Sequence, residues 1–167
     1  RLSPVRPDGT VTFGAQTHPA DGSAGIVVTT PDRARELSAN SAIVIRVLAF
    51  GQARVEKGYM PEAPVPAARE ALTRAGLDIR DIDVIKTHNP FVVNDIVLAD
   101  AFDIPTRRIN RFGCSLVWGH PQAPTGLRAI IEMIEELVLR GGGRGLFTGC
   151  AAGDTGMAVV ISVGDAA

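Results

Sequence analysis

Two histidines and one cysteine stand in short segments whose residue types could do chemistry. His88 lies in Thr-His-Asn-Pro-Phe, His120 in Trp-Gly-His-Pro, and Cys150 in Thr-Gly-Cys-Ala-Ala-Gly. Each segment adjoins the end of a predicted strand or the start of a predicted helix, where α/β proteins place reactive groups. A neutral imidazole can donate to a developing oxyanion, and a thiol tuned toward neutrality can move a proton. The three side chains therefore suit acyl-transfer chemistry.

Each of these residues also has an ordinary structural interpretation. An isolated histidine often caps a helix or makes its hydrogen bonds in a core, and a cysteine among small residues often packs as a small hydrophobe. The sequence has no Cys-x-x-Cys or His-x₃-His spacing, so it predicts no zinc site. Cys114 has no polar neighbour of obvious purpose, and we assign it to packing. Cys150 precedes a turn of small residues whose N–H groups are expected to lower its thiol pKa.

The sequence predicts alternating strands and helices that position these side chains. The opening stretch to residue 22 is polar and turn-rich and resembles an arm. Apolar residues spaced by three and four predict a long amphipathic helix, namely Leu127, Ile130, Ile131, Ile134, Leu137 and Val138. Further helices are predicted from Pro31, at 66–75 and at 91–102, and strands at 25–30 (buried), 42–50, 83–87, 145–148 and 157–163. This order favours an α/β sheet covered by helices, closed by an antiparallel pair.

Composition narrows the class of protein. The 167 residues are 46% hydrophobic with a formal charge of −1, which fits one domain and argues against a nucleic-acid partner. Apolar runs are too short to span a bilayer, and the first residues lack the apolar region of a signal peptide. Two cysteines fit a reducing cytoplasm. We expect a soluble cytoplasmic protein with no membrane partner.

Five segments, in order along the chain, resemble motifs of the C-terminal half of the thiolases, the family of acetyl-CoA acetyltransferases and 3-ketoacyl-CoA thiolases. The segments are 8–12 with 21–22 (family DGTVTAGN…NDGAA), Met60 with 64–67 (MGxGPVPA), 88–91 (HEAF or NEAF), 119–126 (GHPxGxSG) and 150–153 (CxGG). The resemblance implies a βαβαβαββ mixed sheet covered by helices. It places the thiolase C-terminal domain at 23–167, with 1–22 as an arm and the end of the N-terminal half.

The resemblance also implies roles for individual residues. Cys150 would be the acid/base that moves a proton at the α-carbon of the acyl group. His120 would activate the nucleophile and hold the thioester oxygen, and His88 would support that oxyanion hole, often through a water. The backbone N–H of Ala152 would face the acyl-enzyme oxyanion. Coenzyme A thioesters would be the substrates, with no cofactor, and three residues would line the pantetheine tunnel: Thr17, Met60 and Phe91.

Neither cysteine matches the family's acylated nucleophile. Cys150 matches the acid/base, and Cys114 falls where the family has a glycine. Residues 1–5 resemble an interior stretch of a thiolase, which implies that an N-terminal half or chain supplies the nucleophilic cysteine, in a dimer or tetramer of complete units. The implied reaction, in lipid metabolism, is reversible Claisen condensation of acyl-CoAs or thiolytic cleavage of 3-oxoacyl-CoA. The alternatives are a non-catalytic acyl-CoA-binding subunit and an acyltransferase with a non-CoA acceptor.

Several residues depart from the family's motifs beside the implied acyl pocket. They are His18, Ala20, Asn89, Pro90, 122–124, Ala152 and Asp154. None of them replaces a catalytic side chain. The expected substrate therefore includes bulkier or branched acyl groups as well as acetyl.

Overall fold

The computed structural model describes residues 2–164. The helices are α1 (Pro31–Leu37), α2 (Pro64–Ala75), α3 (Val92–Phe102), α4 (Ser115–Trp118) and α5 (Thr125–Leu139). The strands are β1 (Ile45–Arg54), β2 (Val84–His88), β3 (Gly143–Ala151) and β4 (Thr155–Val163). Within these residues, no helix is long and apolar enough to cross a bilayer.

The four strands form one mixed sheet in the order β1-β4-β3-β2. Strands β2 and β3 run parallel, while β4 pairs antiparallel with both β3 and β1. The expected closing antiparallel pair is thus β3 and β4. Because β2 and β3 are parallel, their carboxyl ends meet at one edge of the sheet, with His88 opposite Gly149.

Helices cover both faces of the sheet, and the alternation of side chains along each strand explains how. Leu146 and Val160 pack with α2 and α3 in one core, whereas Phe147 and Ile161 pack with α5 in the other. The residue that precedes α2 lies very close to β4: a Cβ at Gly156 would meet the Ala63 carbonyl oxygen at 2.2 Å. This fit requires glycine at that position.

The buried strand predicted at 25–30 was wrong. The segment has no assigned secondary structure and joins no strand of the described chain, and its side chains are exposed, with Val27 and Val28 both at 78%. A run of β-branched residues favours extended backbone, but a strand also needs a neighbour that accepts its hydrogen bonds. Helix α1 follows as predicted and has no buried residue. The α/β class holds, with four described strands where the pattern predicts five.

Candidate active site

His88 and Cys150 lie side by side because they end neighbouring parallel strands. His88 is the last residue of β2, and Cys150 is the penultimate residue of β3. The Nδ1 atom of His88 lies 3.0 Å from the carbonyl oxygen of Cys150. The turn after Cys150 is held from β1, where Arg54 Nε donates to the Gly153 carbonyl oxygen at 3.0 Å. Two anchored backbone segments therefore fix the thiol and the imidazole.

The segment that carries His120 is held by the N-terminal arm. The His120 N–H donates to the carbonyl oxygen of His18 at 2.9 Å, and the arm also binds the His88 loop through Thr17 N–H and Pro90 O at 2.9 Å. Gly119 has a positive φ of 87°, and a Cβ there would meet the Cβ of Ala20 at 2.6 Å. The arm thus ties the two histidine loops together, and the glycine before His120 makes this approach possible.

The two imidazole rings face each other. Their centroids are 4.5 Å apart, with 38° between the planes. His120 Nδ1 lies 2.8 Å from the hydroxyl of Thr125, a buried residue that opens α5. Burial, followed by the positive charge of Arg128, lowers the pKa of His120. His120 is therefore neutral at neutral pH, and its ring is oriented by a hydroxyl that can donate or accept.

The tautomer of His88 follows from the hydrogen-bond partner of its Nδ1 atom, the Cys150 carbonyl oxygen. A backbone carbonyl oxygen only accepts hydrogen bonds, so His88 Nδ1 carries the proton that it donates to Cys150 O. Burial, then repulsion from His120 when that ring is protonated, lowers the His88 pKa to about 4. The ring is therefore neutral at pH 7, with an accepting lone pair at Nε2. In the described part of the chain, Nε2 is buried with no protein partner.

The Cys150 thiol is 6% exposed and accepts a hydrogen bond from Asn94 Nδ2 at 3.5 Å. Burial raises the pKa of this thiol, while the Asn94 hydrogen bond opposes the rise. The lowered thiol pKa expected from the turn was therefore wrong. At this buried position, desolvation of the thiolate outweighs the hydrogen bonds that favour it.

These side chains meet at a cavity of about 410 Å³, a volume suited to a small ligand. Its lining includes Cys150, His88, His120, Met60 and Ala152 from the set chosen by sequence. Thr17 and Phe91 do not line it. Thr17 lies one hydrogen bond behind Pro90, and Phe91 pairs with Gln16 of the arm. The other lining residues are Pro90, Gln122, Thr125, Gly126, Phe147, Gly149, Ala151 and Met157.

Sequence reasoning missed the polar groups that support the site. The Asp95 carboxylate accepts from Thr87 Oγ1 at 2.5 Å and from Asn89 Nδ2 at 2.6 Å, which ties the His88 segment to α3. Asn110 Nδ2 also donates to Asp95, at 3.2 Å. Burial raises the pKa of Asp95, and these three hydrogen bonds oppose the rise. The available signal was the polar pair Asn94-Asp95 inside the apolar run of α3.

We expect the His88 imidazole to make the protein less stable as the pH falls. Its pKa is about 4 in the folded protein against 6.5 as the ordinary value, so the unfolded chain binds more protons between these pH values. The free energy of unfolding then decreases from pH 6.5 toward pH 4, by up to about 3 kcal/mol at ~1.4 kcal/mol per unit. Thermal unfolding of the wild type and of His88→Asn across this range measures the effect. The variant curve should fall less steeply, and parallel curves would contradict the assignment.

Comparison with known proteins places the chain among sequences of one family. Residues 41–163 match the sequence profile of the family described as "Thiolase, C-terminal domain". The chain is 35% identical to a 3-ketoacyl-CoA thiolase of Erwinia tasmaniensis, over 98% of this chain and 41% of that protein. It is 31% identical to a probable acetyl-CoA acetyltransferase of Escherichia coli K12, over 92% of this chain and 38% of that protein.

A solved structure gives the same result in three dimensions. The crystal structure of the Bacillus anthracis acetyl-CoA acetyltransferase superposes with a TM-score of 0.89 at 29% identity. The match covers 97% of this chain and 41% of that chain. This chain therefore spans about 40% of the length of the relatives that it matches.

Proposed function

This chain belongs to the thiolase family, and we propose that it supplies the acid/base part of an active site for reversible Claisen condensation of acyl-CoAs or thiolytic cleavage of 3-oxoacyl-CoA. One observation carries the proposal: Cys150, His88 and His120 line one cavity. A subunit that only bound acyl-CoA would not need a thiol and two neutral imidazoles around one cavity. The named relatives, 3-ketoacyl-CoA thiolase and acetyl-CoA acetyltransferase, support the same class of reaction.

In the condensation direction, the Cys150 thiolate removes a proton from the α-carbon of a bound acyl-CoA. The resulting enolate attacks the carbonyl carbon of an acyl group held as a thioester on another cysteine. A carbon–carbon bond forms, the carbon–sulfur bond to that cysteine breaks, and 3-oxoacyl-CoA is the product. In thiolysis the Cys150 thiol returns the proton to the departing α-carbon, so one group serves as base and acid.

His120 and His88 stabilise the negative charge that develops on the thioester oxygen of the enolate. With Thr125 donating to Nδ1, His120 carries its proton on Nε2 and donates it to that oxygen. His88 plays a different part, because its Nδ1–H is used by the Cys150 carbonyl and its Nε2 accepts. His88 therefore holds a water that donates to the oxygen.

The acyl group and the pantetheine arm enter through the described cavity. Met60, Met157 and Phe147 give part of its wall apolar surface, and Gln122 stands where the family has a small residue. Apolar walls accept acyl chains with little discrimination, since one methylene changes binding by only about 1–3 kcal/mol. The proposed substrate class therefore includes acyl groups larger than acetyl.

The nucleophilic cysteine comes from an N-terminal thiolase half, in the same protein or in a second chain. Neither Cys114 nor Cys150 matches that cysteine, and the relatives have more than half their length outside the matched region. Two apolar surfaces of the described chain fit such a partner. The segment at 25–30 exposes Val27 and Val28, and β1 exposes Val47 and Phe50 at 56% and 54%. Apolar patches of this kind mark interaction sites.

We expect the functional protein to contain a second reactive cysteine outside these 167 residues. Intact mass spectrometry of everything that co-purifies should find it, on a longer chain or on a second one. Peptide mapping after a short pulse of acyl-CoA should place the acyl label on that cysteine. Cys114→Ser is the matched control, because it removes a half-buried thiol of this chain and should leave labelling unchanged.

Three results would contradict this proposal. A monomer of 17.6 kDa that sediments alone and catalyses the reaction would show that no partner is needed. Acyl label on Cys114, lost in Cys114→Ser, would place the nucleophile inside this chain. A complete protein that binds acyl-CoA without turnover would favour the non-catalytic subunit.

A further inference from the structure

Asn94 makes two hydrogen bonds that together fix the orientation of its side-chain amide. The residue is 2% exposed and lies in the first turn of α3. Its Oδ1 accepts from the backbone N–H of Phe91 at 3.3 Å, which is possible only for the oxygen of the amide. The other atom, Nδ2, is therefore an N–H donor, and it lies 3.5 Å from Cys150 Sγ.

From this geometry we propose that Asn94 is a positioning residue that donates to Cys150 Sγ and stabilises the thiolate needed for proton transfer. The inference rests on the proposed function in assigning that proton transfer to Cys150. The hydrogen bond from Asn94 to Cys150 Sγ is a feature of the structure and does not depend on the proposed function. A thiol sulfur is a weak acceptor and a thiolate a strong one, so an N–H donor fixed toward it favours the charged form.

The surroundings of the sulfur make this donor important. Cys150 is buried, which disfavours the thiolate and raises the pKa of the thiol. Asp95, the residue after Asn94, directs its carboxylate to Thr87 and Asn89. Among the described residues, Asn94 is thus the one whose side chain donates a hydrogen bond to Cys150 Sγ.

Two variants separate the donor from the helix-capping role. Asn94→Asp keeps an oxygen that can accept from Phe91 N–H and replaces the amide donor by a second oxygen. Asn94→Leu keeps the volume and removes both polar atoms, without adding charge. Asn40→Asp is the matched control, because Asn40 is exposed and its Oδ1 also accepts a backbone N–H, from Ala42 at 3.1 Å.

The test is the pH dependence of Cys150 alkylation by iodoacetamide, followed by peptide mass spectrometry on the purified protein with any chain that accompanies it. We expect the midpoint to rise by about one pH unit in both Asn94 variants, so that alkylation below the midpoint slows about tenfold. The control should match the wild type. Thermal unfolding of the same samples measures the loss of helix capping separately.

An unchanged midpoint in Asn94→Leu and Asn94→Asp, with only thermal stability reduced, would overturn the inference and leave Asn94 as a cap. A shift as large in Asn40→Asp would overturn it too. The readout needs no turnover, so it is independent of the proposed function. If the wild type exchanges no α-proton of acyl-CoA, the proposed function fails while the alkylation result still judges the hydrogen bond.

Discussion

Replacing His120 by alanine should lower kcat for condensation by about 10²-fold or more in the complete enzyme, the usual loss on removing one oxyanion donor. Alanine removes the N–H that we assign to the thioester oxygen. The effect should fall on kcat more than on KM, because the charge on that oxygen develops only as the enolate forms. Steady-state kinetics of wild type and variant with the same acyl-CoA measures the changes in kcat and KM.

His88→Asn is the comparison variant and should cost less than His120→Ala. Nε2 of His88 accepts, so we assign it to a water and not to the substrate oxygen. An asparagine side chain can hold a water through its own amide. Equal and small losses in both variants would return the two histidines to structural roles. A larger loss in His88→Asn would show that our tautomer assignment is wrong.

Thr125→Val tests the orientation of the His120 ring. Valine keeps the size of the buried threonine and removes the hydroxyl 2.8 Å from Nδ1. Freed from this contact, the ring can adopt the tautomer with the proton on Nδ1, which has no donor at Nε2. We therefore expect an intermediate loss of kcat with little change in KM. Wild-type kinetics in this variant would contradict the role given to Thr125.

The sequence predicts best the elements that have a clear apolar periodicity, although it does not identify which of their residues are most deeply buried. Helix α5 forms where the apolar spacing predicts it, but of the predicted stripe only Leu137 is fully buried, while Leu127 is 39% exposed. Ala129 and Met133 are buried beside Leu137, and the predicted isoleucines are half-buried. The antiparallel β3–β4 pair follows from two apolar runs separated by a short polar turn. By contrast, the segment at 25–30 has strand-forming residues but no neighbouring strand in the described chain, and composition cannot supply a pairing partner.

The thiol and the two imidazoles that line the cavity could be chosen from the sequence, but the pKa of the thiol could not be predicted. Motif order identified Cys150 and the two histidines, and parallel pairing of β2 and β3 brings two of them together. The pKa of the Cys150 thiol depends on burial by elements that are distant in sequence. The residues of the local turn predicted a lowered pKa, whereas burial raises it. The Asn94 contact joins residues 56 positions apart and is visible only in the folded chain.

Replacing Cys150 by serine should separate proton transfer at the α-carbon from acylation of the nucleophilic cysteine. Serine keeps the shape of the side chain, but its hydroxyl is a far weaker base than a thiolate. We expect exchange of the α-protons of bound acyl-CoA with deuterated water to fall by about 10²–10⁴-fold, the usual contribution of a positioned acid/base group. Acylation of the nucleophilic cysteine needs no proton at the α-carbon, so it should survive. Rapid-quench peptide mass spectrometry and deuterium incorporation measure the two steps on the same sample.

The pH dependence of the wild type adds an independent check on Cys150. Because burial raises the pKa of this thiol, it is mainly protonated at neutral pH. Exchange and condensation, which start from the thiolate, should therefore increase as the pH rises above 7, and this increase should be absent in Cys150→Ser. Cys114→Ser should keep both the rate and the pH dependence of the wild type. Acyl label on Cys150 itself, or exchange that persists in Cys150→Ser, would assign the proton transfer to another group.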